Sequence, residues 1–593
     1  MADQADHNMT LLEQLEIRTK AAFESRGLDP GFGDVAISVK GIADFQCNGA
    51  MAAARLAKVS PKILAEEIVG LLRKEIDFAS VEVAGTGFIN YVVGNEGLSV
   101  RANKLSGDPR SGHRKAESQV RMIIDYGGPN AAKAMHVGHL RSAVIGQCLK
   151  NILRFQGHEV VGDIHMGDWG LQMGQLITEI ERGNASLPYF DARFQGPYPD
   201  EPPFTMEDLL VLYPKAAARS KDDPTAREAS RVVTAELQAG RPGYRALWKH
   251  FVEVSIADIQ RDYGRMGVEF EQWFGESRYQ DRLVGLAKRL VDMGVAVESE
   301  GALVIPVVED ESDNTPPLIL RNSEEGFGYG ATDLATIDER VNDFGASACL
   351  YVVDARQSLH FEQVFRAARK SVVAGREVRL EHLGFGTVNG PDGKPFKTRE
   401  GGVMRLADLM AMLVREAQSR LEEAGMGREL DEKEMGLVAE LVGLGALKFA
   451  DLQHDRESDY IFDLNRFSRF EGRTGPYLQY TGVRIKSLLA KAALAGKRPS
   501  IIRIDSAIER QIALLLDRFH LAVERSAKLR KPHILAEQLY SLASTYNQFY
   551  HGSRILVEED INRAGSWLML SKTVSAQLKL GLGLMGIDIP DRM

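Results

Sequence analysis

The sequence predicts an α/β fold built on a parallel sheet, preceded by a small α+β domain and followed by an all-helical domain. The apolar run Val120–Asp125 leads through a glycine turn into a helical pattern from about His139 to Phe155, and the strand-like run Glu159–Gly162 follows at once. Strand, glycine turn, helix and strand is the order typical of a doubly wound parallel sheet. From about residue 435 the pattern is helical almost to the end.

The first 115 residues alternate helical and strand-like patterns, which predicts a small α+β domain. A helix is expected over Pro61–Ile76, with Ser60 placed to cap it. Strand-like runs follow at Val81–Ala84 and Phe88–Val93, and the polar stretch Ser106–Ser118 indicates a linker.

The parallel-sheet domain is expected to carry an insertion near residues 175–255, because a stretch rich in Pro, Asp and Glu interrupts the alternation of strands and helices there. The runs Ala302–Val308 and Ala348–Val353 are expected to resume that alternation. A short linker near Ala495–Pro499 divides the helical part. The predicted units are residues 1–115, 116–390, 391–440 and 441–593.

Composition places the chain among ordinary globular proteins. Its 593 residues predict about four domains at roughly 150 residues each. With 44% hydrophobic and 26% charged residues, it does not fit the disordered, collagen-like or membrane-spanning classes. Its three scattered cysteines support neither a disulfide framework nor a zinc cluster. The polar N-terminus lacks the apolar run of a signal peptide, so we expect a cytoplasmic protein.

Charge is distributed unevenly along the chain. The formal charge of −9 by itself argues against a nucleic-acid partner. Residues 441–593, however, carry 22 basic and 16 acidic side chains, so the acidic excess lies before residue 441. From Arg466 to Lys531 there are 15 basic and five acidic residues. A basic helical domain on an acidic body is compatible with RNA binding at selected faces.

Two histidines flank a glycine at the start of the first helix of the parallel-sheet domain, in His136-Val-Gly138-His139. Ring N–H donors there stand beside free backbone N–H groups and the positive end of the helix dipole, which favours an anion. A glycine at position 138 lets a flat purine or a phosphate approach the backbone. A structural histidine pair is the alternative, and the preceding strand and glycine turn favour the anion site.

A second candidate is the loop from Gly390 to Gly402, which has glycines at both ends. It carries Lys394, Lys397 and Arg399 within six residues. Such a loop suits closure over a polyphosphate and neutralisation of charge on a leaving group. A solvated turn is the alternative for the loop alone, and its pairing with the histidine motif favours phosphate binding.

Seven motifs in order, including these two, resemble those of the class I aminoacyl-tRNA synthetases, and specifically the bacterial arginyl-tRNA synthetases. They are Asp125–Asn130, His136–Ser142, Gly167–Gln172, Tyr329–Ala335, Val353–Gln357, Phe396–Arg399 and Phe470–Tyr480. The resemblance implies a Rossmann-type catalytic domain, a helical anticodon-binding domain and an N-terminal domain that touches the tRNA elbow. The implied partners are L-arginine, ATP with its Mg²⁺ and tRNA(Arg). We expect a monomer without a membrane contact or a tightly bound protein metal site.

The resemblance also implies roles in activating arginine on the α-phosphate of ATP and passing it to the 3′ end of tRNA. The residues expected to act on ATP are His136, Gly138, His139, Lys397 and Arg399. The class I loop usually carries two lysines, whereas Phe396-Lys397-Thr-Arg399 carries one. Members of this family with that change have a lysine just upstream of the histidine motif, so Lys133 is expected to compensate.

Arginine is a planar cation with five donors, and its recognition requires carboxylates placed for bidentate pairing. The expected arginine-binding residues are Asp125, Asn130, Tyr329, Asp333 and Gln357. We expect Asp333 to pair the guanidinium, Tyr329 and Gln357 to shape the pocket, and Asn130 to hold the α-amino or carboxylate end. Taken singly, Asp333 could equally cap a helix.

Aromatic residues among the cations of the helical domain predict stacking with unpaired bases of the anticodon. The candidates for tRNA contact are Gln46 and Asn48 in the first domain and Tyr477, Tyr480, Arg484, Tyr550 and Met593 in the helical domain. Tyr477, Tyr480 and Arg484 share a helix at spacings of three and four, whereas Phe467 and Phe470 are expected in the core. For the first-domain pair, a turn is an equal alternative.

Two rival functions belong to different classes. A non-catalytic tRNA-binding relative would show decay of His136, His139, Asp333 or Lys397, and all four are intact. A synthetase for cysteine would need thiolate ligands for zinc, which three scattered cysteines do not supply.

Overall fold

The predicted α/β class is confirmed by the structure, a computed structural model. The structure describes residues 9–38, 41, 43–310, 312–323, 326–390, 392–394 and 404–593. The predicted phosphate-binding residues Lys397 and Arg399 lie outside these ranges.

The N-terminal domain packs helices against a four-stranded antiparallel sheet of order β1-β2-β4-β3. Its helices are α1 (Leu11–Ser25), α2 (Gly49–Ala57), α3 (Pro61–Glu75) and α4 (Asn95–Ser106), and its strands are β1 (Val35–Ile37), β2 (Phe45–Cys47), β3 (Ala79–Ala84) and β4 (Phe88–Val93). The Ser60 hydroxyl accepts the N–H of Ile63 at 3.3 Å, which confirms the predicted cap of α3.

The parallel sheet of the catalytic body has the order β11-β10-β5-β6. Its strands are β5 (Arg121–Tyr126), β6 (Glu159–Asp163), β10 (Ala348–Val352) and β11 (Arg379–His382), and α5 (Val137–Phe155) connects β5 to β6. The register pairs Asp125 with Tyr351 on one side and Asp163 on the other. Because these residues end their strands, the sheet brings them together at its carboxyl edge.

One predicted strand belongs to a different sheet. Ala302–Ile305 does not continue the parallel sheet but is β8 of a separate antiparallel sheet of order β7-β8-β9. The flanking strands are β7 (Val297–Ser299) and β9 (Leu318–Arg321). Glu300 and Gly301 join β7 to β8 with φ angles of 52° and 79°. A two-residue turn with both φ positive makes a tight hairpin, which forces antiparallel pairing.

The predicted insertion is helical and has a core of its own. Its helices are α6 (Leu171–Gly183), α7 (Met206–Asp222), α8 (Pro224–Gln238) and α9 (Pro242–Arg265). The body continues with α10 (Gln280–Asp292), α11 (Tyr329–Asp338) and α12 (Ser358–Lys370), with 3₁₀ turns at Pro30–Gly33, Glu276–Tyr279 and Ala355–Gln357 and a π turn at Glu339–Asp343.

The C-terminal part is helical, as the sequence predicts. Its helices are α13 (Leu406–Glu423), α14 (Glu432–Leu452), α15 (Leu464–Phe467), α16 (Gly475–Leu494), α17 (Ala507–Asp517), α18 (Phe519–Leu529), α19 (His533–Gly552) and α20 (Ile561–Leu584), and the short strands β12 (Val388–Asn389) and β13 (Tyr460–Ile461) pair in parallel. Over the described ranges, no helix has the length and apolarity needed to cross a lipid bilayer.

Candidate active site

A cavity of about 580 Å³ opens at the carboxyl edge of the parallel sheet, where β5 and β10 lie side by side. Crevices at this edge are the usual ligand sites of parallel α/β sheets. The predicted residues that line the cavity are Asp125, His136, Gly138, His139, Tyr329, Asp333 and Gln357. Residues more than 200 positions apart in sequence therefore share one site, as the sequence analysis requires.

His136 and His139 cap the start of α5 with their own rings. The Nδ1 atom of His136 accepts the N–H of Gly138 at 3.0 Å, and the N–H of His136 donates to Nδ1 of His139 at 3.0 Å. The two ring centroids are 4.0 Å apart. Since both Nδ1 atoms accept hydrogen bonds, the proton of each neutral ring is assigned to Nε2. Each ring thus offers one N–H donor.

Both rings are neutral at physiological pH. Burial lowers the pKa of His136, and the nearby Lys133 lowers it further. Burial lowers the pKa of His139 to about 3, with the His136 ring as the next cause. A pair of neutral donors at a helix N-terminus can bind phosphate oxygens without titrating near neutrality.

Gly138 and Gly127 fit their positions for different reasons. A Cβ atom on Gly138 would lie 2.7 Å from Cε1 of His136, so a larger residue would push the His136 ring away from the N–H that it accepts. The sequence alone explains this glycine only by the approach of a ligand. Gly127 has φ +72°, which L side chains rarely adopt. Its carbonyl accepts from the Tyr263 hydroxyl at 2.6 Å, and its N–H donates to Oγ of Ser142 at 2.7 Å.

A buried arginine lies beneath the cavity. The Nη2 atom of Arg340 donates to Asp125 at 2.7 Å and to Asp163 at 2.6 Å, and Arg340 is 1% exposed. Burial opposes its charge, but Tyr351 and these carboxylates outweigh burial and hold the pKa of Arg340 well above its ordinary value. One oxygen of Asp125 is therefore already bound by a side chain of the chain itself.

Asp333 lies within α11, one turn after Tyr329, and is not a helix cap. The predicted shared face of these two residues is confirmed, since both line the cavity. An oxygen of Asp333 is 2.5 Å from Nε2 of His360, and this hydrogen bond raises the pKa of His360. His360 follows Gln357 by three residues at the start of α12, a helical spacing that the sequence analysis did not use.

Glu276 is a further acidic residue of the cavity, beside Asp125, Asp333 and Asp354, and the sequence motifs do not include it. It begins the 3₁₀ turn after the insertion. Burial raises the pKa of Glu276 to about 7, although His165 opposes this. The preceding Gly275 lies against Asp168, where a Cβ atom would be 2.4 Å from the carboxylate, but no sequence motif marks Glu276 itself. Perturbed carboxyl groups in a cleft are typical of functional sites.

Two predicted residues lie outside the cavity lining. Asn130 follows β5 and pairs with Gly167, where a Cβ atom would lie 2.2 Å from the amide oxygen of Asn130. The ammonium of Lys133 lies over the ring of Tyr213 in the insertion, 4.5 Å from its centroid. The substrate role of Asn130 and the compensating role of Lys133 stay predictions.

Three family models match the chain. The model of the class I (R) tRNA synthetase catalytic domain matches residues 102–464, that of the arginyl-tRNA synthetase N-terminal domain matches residues 16–93, and that of the DALR anticodon-binding domain matches residues 478–593. The chain belongs to the arginyl-tRNA synthetase family. Membership of this family favours the arginine-specific ligase over the cysteine-specific and non-catalytic alternatives.

Similar proteins cover the chain almost completely. The arginine–tRNA ligase of Hyphomonas neptunium is 49% identical over 98% of this chain and 100% of its own length. That of Maricaulis maris is 47% identical over the same shares. The arginyl-tRNA synthetase of Plasmodium falciparum has the same fold, with a TM-score of 0.79, 22% identity and 99% of each chain covered. That of Thermus thermophilus has a TM-score of 0.78, 22% identity, and covers 98% of this chain and 100% of its own.

In this synthetase two of the aromatic candidates of the anticodon-binding domain, Tyr480 and Tyr550, contact one guanidinium. The Arg484 guanidinium carbon lies 4.5 Å from the ring centroid of Tyr480 and 5.2 Å from that of Tyr550. Arg484 also donates to the Asn547 side chain at 2.8 Å. Tyr477 lies three residues before Tyr480 on the same helix, as the sequence predicts, and its ring contacts that of Tyr540. These contacts hold a half-buried aromatic and cationic surface in place.

The other tRNA candidates are scattered over the synthetase. Gln46 lies in β2 and donates to Asn90 at 2.7 Å, and Asn48 is the N-cap of α2 without a side-chain cap bond, so Gln46 is not in a turn. Met593 packs against the apolar cluster of α13 and α14. Phe467 is buried, as predicted, and Phe470 is half-buried beside Met593 in that cluster.

Proposed function

We propose that the cavity of this arginyl-tRNA synthetase holds ATP and arginine side by side, with ATP on the histidine pair and the arginine side chain among Tyr329, Asp333 and Glu276. Membership of the family makes the chain an arginine–tRNA ligase, and the proposal concerns which residues do the work. The single observation that carries it is that the neutral histidine pair and the carboxylates line the same cavity.

On the phosphate side, the Nε2–H groups of His136 and His139 donate hydrogen bonds to phosphate oxygens. Meanwhile the arginine carboxylate attacks the α-phosphorus in line. The bond from carboxylate oxygen to phosphorus forms, the bond to pyrophosphate breaks, and arginyl-adenylate results. The chain contributes positioning and electrostatic stabilisation, because no group of the protein bonds covalently to the substrate. Gly138 keeps the helix start open, and Lys397, Arg399 and Lys133 offset charge on the leaving pyrophosphate.

On the arginine side, Asp333 is the main partner of the substrate guanidinium. His360 fixes one of its oxygens and leaves the other for the substrate. Glu276 supplies a second carboxylate and Tyr329 and Gln357 complete the walls. Asp125, held by Arg340, and Asn130 bind the α-amino end. The ribose hydroxyl at the 3′ end of tRNA then attacks the carbonyl carbon of the adenylate, and AMP leaves.

Mg²⁺ enters this reaction as part of the ATP substrate. Asp125, Asp163 and His165 are close enough to hold an ion, but the two carboxylates are paired with Arg340. A cation there would compete with a buried guanidinium, so this cluster does not fit a resident metal. We place the magnesium ligands among the phosphate oxygens instead.

For tRNA(Arg), we propose that the anticodon stacks on the surface of Tyr477, Tyr480, Arg484 and Tyr550, with Met593 at its edge. Gln46 and Asn48 contact the elbow. The aromatic and cationic composition of the first surface supports this assignment, because unpaired bases bind such surfaces by stacking. We further propose that the enzyme acts as a monomer in the cytoplasm, and light scattering on a size-exclusion column tests the monomer.

Amino-acid-dependent exchange of pyrophosphate into ATP, with and without tRNA, tests the proposed function. We expect exchange with arginine only, and only when tRNA(Arg) is present. Exchange driven by lysine or cysteine, or none under any condition, would contradict it.

A second experiment tests the residue that carries specificity. Asp333→Asn removes the charge that pairs the guanidinium and should raise KM for arginine by roughly 10–100-fold, corresponding to about 1.5–3 kcal/mol for a charged hydrogen bond. Asp338→Asn is the matched control, because Asp338 lies on the same helix but pairs with Arg289 at 2.8 Å. Equal KM values in the two variants would exclude Asp333 as the main partner.

A further inference from the structure

A second cavity, of about 490 Å³, lies where the N-terminal domain joins the catalytic body. We call it the linker pocket, and it is lined by residues of α4 and of the segment 108–115. Its charged lining consists of Arg101, Lys104, Arg110, Arg114 and Lys115 with the single carboxylate of Asp108. Both oxygens of Asp108 are used within its own turn, by the N–H groups of Arg110 at 2.8 Å and Gly112 at 2.6 Å. The lining therefore carries more cations than carboxylates, although Asp517 pairs with Arg101 and Glu13 pairs with Arg114 from outside it.

Arg101 places a buried donor in the linker pocket. Its Nε atom donates to Asp517 at 2.6 Å, and the residue is 5% exposed. Among the described residues, Nη2 of Arg101 is buried and has no hydrogen-bond partner. A Cβ atom on Gly112, which lines the pocket, would lie 3.1 Å from this Nη2. A buried charged donor without a partner costs free energy, so a ligand that accepts from it gains affinity.

A chain of hydrogen bonds supplies a second donor. Arg114 can only donate, so Nε2 of His520 accepts from it at 3.1 Å. In the neutral ring, Nδ1 of His520 then carries the proton and donates to Nδ1 of His113 at 3.0 Å. The proton of His113 is consequently assigned to Nε2, which is buried and has no partner in the described part of the chain. Burial and the neighbouring cations lower the pKa of His113 to about 3, so the ring stays neutral.

The same geometry disfavours a metal ion at this place. His113, His520 and Glu524 are close enough to hold one, with Glu524 3.9 Å from Nε2 of His113. A cation would have to displace the hydrogen bond that Arg114 donates to His520 and would lie beside the Arg114 charge. Glu524 instead accepts from the Gln156 side chain at 2.9 Å. An anion leaves the hydrogen bond from Arg114 to His520 intact, and the carboxylate it would approach, Glu524, is already bound by Gln156.

We propose that the linker pocket binds a small phosphate-bearing anion, with Arg101 and His113 as buried donors and Lys104 and Lys115 at the rim. Its volume is in the range of pockets for small ligands, and phosphate oxygens accept from a guanidinium in the geometry that Arg101 offers. Since Arg101 also holds Asp517 of α17, such an anion would tie the N-terminal domain, the linker and the anticodon-binding domain together. The site lies apart from the catalytic cavity and does not depend on the proposed function.

Isothermal titration of the tRNA-free enzyme with inorganic tripolyphosphate tests the proposal. The double variant Lys104→Ala/Lys115→Ala removes two exposed cations of the rim without disturbing the core. The matched control is Lys62→Ala/Lys74→Ala, which removes two exposed cations from α3 of the same domain. We expect the rim variant to bind tripolyphosphate about tenfold or more weakly, and the control to bind like the parent. Thermal unfolding should show tripolyphosphate raising Tm in the parent and control, and much less in the rim variant.

Aminoacylation by the rim variant at saturating tRNA should equal that of the parent, because the pocket is separate from the catalytic cavity. Equal tripolyphosphate affinity in the parent and the rim variant would overturn the proposal. So would a result in which no tripolyphosphate binds outside the active site and the salt dependence of tRNA binding falls in the rim variant by about one phosphate contact. That second outcome would make the pocket part of the tRNA surface.

Discussion

Replacement of Glu276 by glutamine tests the acidic side of the cavity most directly. Burial raises the pKa of Glu276 to about 7 from an ordinary 4.5. Only the ionised carboxylate pairs well with a guanidinium, so a proton must leave before arginine binds. With a pKa near 7, about 90% of the enzyme is protonated at this position at pH 6 and about 10% at pH 8. The KM for arginine should therefore be about tenfold higher at pH 6 than at pH 8.

The assay is aminoacylation at saturating ATP and tRNA, with KM for arginine measured from pH 6 to 8 in the parent and in Glu276→Gln. At pH 8 the variant should have a KM roughly 10–100-fold higher, since it loses a charged hydrogen bond. His165, Asp168, Asp333 and His360 also face this region and remain in the variant. The decisive quantity is therefore the KM at pH 6 divided by the KM at pH 8. We expect this quotient to be about ten times larger in the parent than in Glu276→Gln, because glutamine does not titrate. Equal quotients in the two proteins would refute the reasoning.

The folding stability of Glu276→Gln gives an independent check, because the substitution should stabilise the folded protein although it weakens arginine binding. A carboxyl whose pKa is raised in the folded state contributes stability at low pH, and this contribution is lost as pH rises from 4.5 to 7. The difference corresponds to at most about 3–4 kcal/mol, reduced by the partial exposure of Glu276. Glu276→Gln should consequently unfold at a higher urea concentration than the parent at pH 8, although it binds arginine less well. If the variant lost both folding stability and affinity for arginine, the substitution would have caused a structural defect.

Four further substitutions have defined outcomes. His139→Asn should lower kcat for arginine-dependent exchange by roughly 10²–10³-fold and leave KM for arginine nearly unchanged, because the ring stabilises charge on phosphate. Lys133→Ala should lower exchange at least about tenfold and Tyr213→Leu by less; intact exchange in Lys133→Ala excludes the compensation. Arg340→Met should cost about 3–5 kcal/mol in urea unfolding at pH 7, since two buried carboxylates lose their partner, and a loss below about 1 kcal/mol would contradict that account.

The sequence predicted those parts of the fold that local patterns determine. The helix from Val137 to Phe155 and its flanking strands follow from hydrophobic period and a glycine turn, both of which act over a few residues. The prediction that Ala302–Ile305 belongs to the parallel sheet was wrong, because a buried apolar run has the same pattern in a parallel and in an antiparallel sheet. The turn at Glu300-Gly301 held the deciding information, since its backbone conformation permits only a hairpin.

Arg340 shows why part of the site lay beyond the sequence. It is 215 residues from Asp125 and 177 from Asp163, and it stands in a π turn with no motif around it. One oxygen of Asp125 is committed to an internal guanidinium, so Asp125 cannot offer a substrate guanidinium both oxygens for a bidentate pair. For this reason our proposal assigns the selection of arginine to Asp333 and Glu276, and the sequence alone pointed only to Asp333.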